Sequence, residues 1–337
     1  VLTFTIAPRR LRECCCSTPE CPSEPPLSAT AGPPKNLGSN PSVPPCSPIM
    51  NFLVPKVLAG ANPTWSNLNS EDEINAVLKV LKENRLALMA GSNVKELEKR
   101  VSKLFNKKYG LMVNSGSSAN LLAVKSLNLK KGSKVITPAL TFSTTVSPLV
   151  QSNLIPLFID VEKETLQINT ELLENIALEN VSAICVPNLI GNIANWNEIY
   201  SFAQANNLKV IEDSADTIGY EYESDFKDWA DVSTTSFYAS HVVTGAGFGG
   251  MVCYKDKENY DLGLSLRGWG RRSSLYGESE DYERRFSAKI DGLDYDDKYI
   301  FDDIAYNFLP SEISAAFALV QINKLKDNLQ NLSLIHI

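Results

Sequence analysis

Between residues 110 and 254 the chain repeats one rhythm, a short apolar run followed by a loop and a helix-like stretch. The runs are continuously apolar, which is typical of strands covered on both faces. Helix-like segments such as Ser118–Leu127, Thr170–Ala177 and Trp196–Asn206 lie between most of them. The runs are Leu111–Val113, Lys134–Ile136, Ile155–Ile159, Ala183–Val186, Lys209–Ile211, Ser233–Phe237 and Gly250–Tyr254. This pattern predicts an α/β fold: a mostly parallel seven-stranded sheet with helices on both faces.

Helices are also predicted on either side of this region. Ser70 and Glu73 match a capping box, in which each side chain accepts from the other residue's backbone N–H. Apolar residues at helical spacing follow in residues 74–81 and again in residues 94–104. A last apolar helix is predicted over Glu312–Leu325.

The first 49 residues differ in composition from the rest of the chain. They hold 11 of the 18 prolines and five of the seven cysteines. The cysteines lack paired C-x-x-C spacing and a nearby histidine, so a metal site is the weaker interpretation and a disordered or non-native leader the stronger one. We expect residues 50–325 to form the large working domain and residues 326–337 to be a truncated end, of which residues 332–337 can be read as a cloning or sequencing scar.

Charge and hydropathy narrow the partners that we expect. The chain carries a formal charge of −7, and the part after residue 49 is acidic, which disfavours nucleic acid and anionic membranes as partners. No run approaches the roughly 20 apolar residues that span a bilayer. Only Cys185 and Cys253 remain outside the leader, which favours a reduced, cytoplasmic protein.

The ends of three predicted strands carry polar residues, and ligands of parallel sheets bind at that edge. Residues 114–120, NSGSSAN, form a small-residue loop that enters a helix, which suits either a phosphate or a simple helix cap. Asp213, after the fifth strand, is either a partner for a basic cofactor nitrogen or another helix cap. His241, beyond the sixth strand, is either a general base or an ordinary exposed imidazole.

Taken in order, these segments resemble the DegT/StrS-like sugar aminotransferases, a family of fold type I pyridoxal phosphate (PLP) enzymes. The resemblance covers about residues 55–325. It implies a homodimer with an active site shared between subunits, a nucleotide-sugar substrate, and PLP or pyridoxamine phosphate (PMP) as cofactor. It also implies a role in deoxysugar or O-antigen biosynthesis. The implied cofactor-binding residues are Gly116, Ser117, Phe142, Asp213, Asp216, Ser236 and Asn307. The resemblance implies that Phe142 stacks on the cofactor ring, that Asp213 binds the pyridine nitrogen, and that Asn307 binds the phosphate of the neighbouring subunit's cofactor.

His241 stands where an aminotransferase of this family has the lysine that holds the cofactor covalently, and no lysine occurs between Lys227 and Lys255. Histidine in this position resembles the branch that removes the C3 hydroxyl from nucleotide-linked 4-keto-6-deoxyhexoses. The resemblance therefore implies His241 as the catalytic residue and a cofactor bound without a covalent link. Some members of this branch hold an iron–sulfur cluster, which needs four thiolates, whereas only Cys253 follows His241 here. We therefore expect no metal site.

Two alternatives stay open at this point. A true sugar aminotransferase is disfavoured by the absent lysine, and a non-catalytic, truncated paralogue would serve only for binding or pairing. Sequence does not distinguish which nucleotide and which sugar would be used.

Overall fold

The computed structural model describes residues 70–83, 88–219, 228–276 and 282–329. The predicted leader, residues 1–49, lies outside these ranges, and so do residues 330–337 of the predicted terminal segment. None of the helices in the described ranges is long and apolar enough to cross a membrane.

Seven strands form one sheet in the order β1-β7-β6-β5-β4-β2-β3, which confirms the predicted architecture. Strand β7 runs antiparallel to both β1 and β6, and every other neighbouring pair is parallel. The strands are β1 (Tyr109–Val113), β2 (Lys134–Pro138), β3 (Ile155–Ile159), β4 (Val181–Pro187), β5 (Lys209–Asp213), β6 (Val232–Ser236) and β7 (Gly250–Tyr254). A separate hairpin, β8 (Ala288–Ile290) with β9 (Leu293–Tyr295), was not predicted from the sequence.

Helices pack on the sheet and on one another. The apolar face predicted for residues 94–104 is buried at Val94, Leu97 and Val101. The predicted apolar residues of the first helix, Ile74, Leu78 and Leu81, are instead exposed. The α-helices are α1 (Glu71–Glu83), α2 (Ser92–Leu104), α3 (Gly116–Ser126), α4 (Ser143–Gln151), α5 (Trp196–Ala205), α6 (Lys257–Arg267), α7 (Tyr282–Arg285) and α8 (Glu312–Asn323). Short 3₁₀ helices span Thr170–Asn175, Leu189–Gly191, Arg272–Tyr276 and Asp297–Tyr299.

The predicted helix over Thr170–Ala177 is wrong in type and length. The segment is a six-residue 3₁₀ helix that begins after Asn169, whose side chain accepts from the Glu171 N–H, and ends at Asn175. Only Thr170 and Leu173 are buried within it. A six-residue segment with one buried apolar side chain, Leu173, has too little packing to be stable as an α-helix.

The register of three neighbouring strands sets the geometry of one sheet edge. Gly250, the first residue of β7, lies opposite Val113 at the end of β1 and opposite Ser236 at the end of β6. The carboxyl ends of β1 and β6 therefore lie on either side of the β7 start. A side chain at position 250 would come within 2.4 Å of the Ser115 carbonyl oxygen, so this close approach requires glycine.

Glu312 joins the helical layer to the start of α2. Its fully buried carboxylate accepts from the Val94 N–H at 2.8 Å, the Asn93 N–H at 3.1 Å and the Asn93 amide at 2.8 Å. These bonds satisfy backbone donors of the first turn of α2, which have no partner within the helix. A negative charge there also interacts favourably with the helix dipole.

We predict that Glu312→Ala lowers the free energy of unfolding by about 2–4 kcal/mol, because it leaves buried donors without an acceptor. Urea unfolding measures this change. The matched control is Glu258→Ala, an exposed glutamate in the first turn of α6, which should cost less than about 0.5 kcal/mol. Equal losses in the two variants would contradict the capping role of Glu312.

Candidate active site

The loop after β1 and the end of β6 form a cradle, which we define as Ser115, Gly116, Ser117 and Ser236. Ser115 caps α3 by accepting from the Ser118 N–H at 3.1 Å, so the helix begins at Gly116. A Cβ atom on Gly116 would lie 2.6 Å from the Ser236 Cβ, closer than real contacts allow. The missing side chain therefore lets the helix start touch the end of β6, and a helix N-terminus favours anionic groups.

The hydroxyl groups of Ser236 and Ser117 in the cradle differ in their exposure and hydrogen bonds. Ser236 is buried, and its Oγ accepts from the Tyr238 N–H at 3.3 Å. Ser117 is exposed, and its hydroxyl makes no hydrogen bond within the described part of the chain. Together with the unpaired N–H groups at the start of α3, these hydroxyls can donate to a phosphate. The structure thus brings the predicted residues Gly116, Ser117 and Ser236 to one place.

Asp213, the last residue of β5, is buried at 6% exposure. One carboxylate oxygen, Oδ2, accepts from the Asn120 amide at 2.8 Å and the Thr145 hydroxyl at 2.9 Å. The other, Oδ1, accepts from the Ala215 N–H at 3.3 Å. No ion pair within the described ranges includes Asp213. A buried carboxylate without a cation is costly, and a cationic group of a ligand beside it would reduce that cost.

Burial raises the pKa of Asp213 above its usual value, while the hydrogen bonds from Thr145 and Asn120 act in the opposite direction and favour the charged form. The nearby carboxylate of Asp216 adds to the increase. Asp213 was predicted from the sequence as the partner of a pyridine nitrogen. A positive charge beside it would offset the burial cost and stabilise its ionised form.

Sequence reasoning missed the residues that orient Asp213. Asn120 projects from α3 and Thr145 from α4, and the Asn120 carbonyl oxygen accepts from the Thr234 hydroxyl of β6 at 2.6 Å. Asn120 lies inside the quoted NSGSSAN segment, so a signal for it was present. Thr145 had none, because its contact with Asp213 exists only once α4 packs over the sheet.

His241 follows β6 in a turn closed by its own N–H, which donates to the Tyr238 carbonyl at 3.1 Å. Its Nε2 lies 3.6 Å from Asp216 Oδ1, and its ring meets the Tyr238 ring edge-on with centroids 5.9 Å apart. The other Asp216 oxygen accepts from the Ile190 N–H at 3.1 Å. Ile190 has a φ of 59°, a strained value for a β-branched residue. Asp216, predicted as a cofactor contact, therefore lies beside the imidazole.

The side chains of two predicted residues make no hydrogen bond or ring contact with the other site residues within the described ranges, and Phe142 is joined to them through its backbone carbonyl. Phe142 precedes α4 and is 69% exposed, one turn before Thr145, whose N–H donates to the Phe142 carbonyl at 3.1 Å. Asn307 is exposed, and its Oδ1 accepts from the Leu309 N–H at 3.4 Å. Both side chains are free to meet a ligand or a second subunit, and their roles stay predictions.

Metal chemistry has no candidate site within the described ranges. No group of three or more His, Cys, Asp or Glu side chains is placed there to hold a metal ion. Cys185 and Cys253 are buried and unpaired, and burial raises the pKa of each thiol. Neither thiol is therefore in the reactive thiolate form.

Comparison with known proteins identifies the family of this chain. A sequence profile of the DegT/DnrJ/EryC1/StrS aminotransferase family matches residues 67–335. The chain belongs to this family. Its sequence is 34% identical to a dTDP-4-dehydro-2,6-dideoxy-D-glucose 3-dehydratase of Saccharopolyspora spinosa, over 80% of this chain and 61% of that protein. It is 31% identical to a GDP-4-keto-6-deoxy-D-mannose 3-dehydratase of Yersinia pseudotuberculosis, over 79% of this chain and 66% of that protein.

A solved structure of this DegT/DnrJ/EryC1/StrS family matches the fold as well. The Escherichia coli GDP-4-keto-6-deoxy-D-mannose-3-dehydratase with bound hydrated PLP is 30% identical and aligns with a TM-score of 0.65, over 76% of this chain and 66% of that chain. Its cofactor is of the class that the sequence predicts. The chain spans a little over three fifths of the length of these relatives.

We predict that Gly116→Ala weakens PMP binding by about tenfold or more, since the new methyl group would displace Ser236 from the cradle. Absorbance titration of the cofactor measures this loss. Gly132→Ala is the control for adding a methyl group, because a Cβ at Gly132 would meet nothing within 4 Å, although its positive φ of 82° strains any residue with a side chain. The control should lose only stability, about 1 kcal/mol, and no cofactor affinity. A Gly116 variant with unchanged affinity would contradict the cradle.

We further predict that the stability of the cofactor-free Asp213→Asn variant, relative to the unmodified chain, rises with pH. The folded-state pKa of Asp213 lies above its unfolded-state pKa. Below the unfolded-state pKa the carboxyl group is neutral in both states, so it does not lower the free energy of unfolding. Above the folded-state pKa it is charged in both states, and the full cost of burying the charge lowers the free energy of unfolding. Asparagine never carries that charge. Urea unfolding of both chains from about pH 4 upward tests this.

The control for the Asp213 prediction is Asp160→Asn, since Asp160 also follows a strand but is exposed. Its effect should stay below about 0.5 kcal/mol at every pH. A stability difference for Asp213→Asn that shrinks as pH rises would refute the assignment of a buried, ionisable carboxylate.

Proposed function

We propose that this chain is a PLP- or PMP-dependent nucleotide-sugar 3-dehydratase, which removes the C3 hydroxyl from a nucleotide-linked 4-keto-6-deoxyhexose. The observation that carries the proposal is His241, which stands in the position of the family's lysine, just beyond Ser236 at the end of β6. The two curated relatives described above are named as 3-dehydratases, which supports the same assignment.

The cofactor would be held by this chain's own residues at the sheet edge. Gly116, Ser117 and Ser236 would bind its phosphate in the cradle, and Asp213 would bind the pyridine nitrogen. Phe142, exposed one turn before Thr145, would stack on the ring. When bound, the cofactor supplies an amine that condenses with the sugar's C4 ketone and a ring that accepts electron density. Asp213 favours that acceptance by keeping the ring nitrogen protonated.

His241 would move the protons of the reaction. As general base it takes a proton from the C4′ carbon of the cofactor, and as general acid it delivers a proton to the departing C3 hydroxyl, which leaves as water. An imidazole suits both roles because its neutral and charged forms are close in free energy near neutral pH. Asp216 at 3.6 Å from Nε2 would hold the ring in place, anchored in turn by the Ile190 N–H.

A second copy of the chain would complete the site. Asn307 is exposed in the single chain, and three exposed large apolar residues precede it in sequence: Tyr299 at 65%, Phe301 at 55% and Ile304 at 100% exposure. Exposed apolar residues that lie together are a common feature of surfaces that another subunit covers. We therefore propose a homodimer in which Asn307 reaches the phosphate bound by its partner.

We predict opposite outcomes for two substitutions of His241. His241→Asn keeps a polar side chain of similar size, so PMP affinity should be unchanged while dehydration falls about 10²- to 10⁴-fold, because the proton acceptor is lost. His241→Lys restores an amine that can bind PLP covalently, so dehydration should stop. Borohydride followed by peptide mapping should then find a pyridoxyl group at position 241.

His336→Asn is the matched control, because His336 is the other histidine of the chain, and its activity should stay unchanged. Turnover is measured as loss of a 4-keto-6-deoxy nucleotide sugar. Full dehydrating activity in His241→Asn would place the base elsewhere. A borohydride-fixed pyridoxyl-lysine in the active-site peptides of the unmodified chain would instead favour the aminotransferase alternative, and an unmodified chain that binds no cofactor would favour the non-catalytic one.

A further inference from the structure

One stretch of this acidic chain is strongly basic. Residues 95–108 contain six basic and two acidic side chains, in a protein whose formal charge is −7. The stretch covers most of α2 and the turn that leads into β1. None of these residues belongs to the candidate active site.

The second half of α2, the turn after it and Tyr260 of α6 enclose a surface cavity of about 310 Å³. Four lysines line it: Lys99, Lys103, Lys107 and Lys108. We call this cavity the lysine cleft. Tyr109 and Tyr260 form an aromatic wall, with their rings stacked at 5.1 Å. Burial raises the pKa of Tyr260, so its hydroxyl stays protonated and can donate.

More basic than acidic side chains line the lysine cleft. The Lys107 ammonium is buried and bonded to Asp228 at 2.9 Å, so it contributes to the structure more than to a ligand. The one acidic lining residue, Glu98, is bonded to Arg267 at 3.0 Å and accepts from the Met112 N–H. No ion pair within the described ranges includes Lys99, Lys103 or Lys108. Three exposed lysines therefore line a cavity whose carboxylate is already bonded. Glu96, a second carboxylate near Lys99 and Lys103, is paired with Arg100 at 2.7 Å.

The lysine cleft is separate from the candidate active site. It lies at Tyr109, where β1 begins, whereas the cradle follows Val113, where β1 ends. Four residues of a strand span about 13 Å, so the two sites lie at opposite ends of β1. A ligand of one does not touch the residues of the other.

We propose that the lysine cleft binds a small polyphosphate anion. Lysine binds phosphate as a point charge, and like charges that line a concave surface focus the potential on the cavity. Three ammonium groups exceed what a single phosphate needs to be neutralised, and a diphosphate group matches them better. The proposal does not rest on the proposed enzymatic function.

Calorimetric titration with inorganic pyrophosphate tests the proposal. PMP is present at saturation, so that the cradle is filled by a cofactor without an aldehyde that could react with lysines. Lys99→Gln, Lys103→Gln and Lys108→Gln combined should weaken pyrophosphate binding by about tenfold or more at low salt, and added salt should weaken binding to the unmodified chain. The lysines are exposed, so the unfolding midpoint should not change.

The matched control removes three charges elsewhere, from the exposed Lys130, Lys131 and Lys163. Its affinity for pyrophosphate should stay within about twofold of the unmodified chain, since screening weakens distant charges. The single variant Lys103→Glu should also bind pyrophosphate more weakly than the unmodified chain, but its loss of affinity should be smaller than that of the triple variant. Equal affinity in the cleft and control variants, equal affinity for inorganic phosphate and pyrophosphate, or no binding by the unmodified chain would overturn the proposal.

Discussion

The buried carboxylate of Asp213 is the constraint around which the site is organised. Three elements converge on it: β5 carries it, α3 contributes Asn120, and α4 contributes Thr145. Neutral donors reduce the cost of burying this charge without removing it, which is why the pKa of Asp213 is raised. Only a proton or a cationic group of a ligand offsets the remaining cost. The protein thus holds an energetically unfavourable group in a fixed position, as binding sites commonly do.

The strand order places this carboxylate beside an anion site. Because β7 is inserted antiparallel between β1 and β6, its first residue, Gly250, aligns the ends of both neighbours. Gly116 then allows the start of α3 to contact Ser236 directly. Hydroxyls and helix N–H groups at the end of β6 and a buried acid at the end of the neighbouring β5 suit a ligand with a phosphate and a basic ring. PLP and PMP are ligands of this kind.

Most of the fold could be predicted from the sequence, because its signals are local. All seven strands of the main sheet coincide with the predicted strand segments, although β6 is rich in serine and threonine, and Asp213 and the cradle residues lie at or just after strand ends. The orienting role of Asn120 and Thr145 could not be predicted, because hydrogen bonds between elements depend on how helices pack on the sheet. The same holds for Asp216 beside His241, which depends on the strained turn at Ile190. The β8–β9 hairpin was missed because its strands are three residues long and carry little periodic signal.

Asp213 should keep the ring nitrogen of a bound cofactor protonated. The most direct measurement is the ¹⁵N NMR spectrum of PMP labelled at the pyridine nitrogen and bound to the unmodified chain at about pH 8, well above the pH at which an ordinary carboxyl group ionises. We expect the chemical shift of a protonated pyridinium nitrogen in the complex. The shift of an unprotonated pyridine nitrogen in the bound cofactor would contradict it.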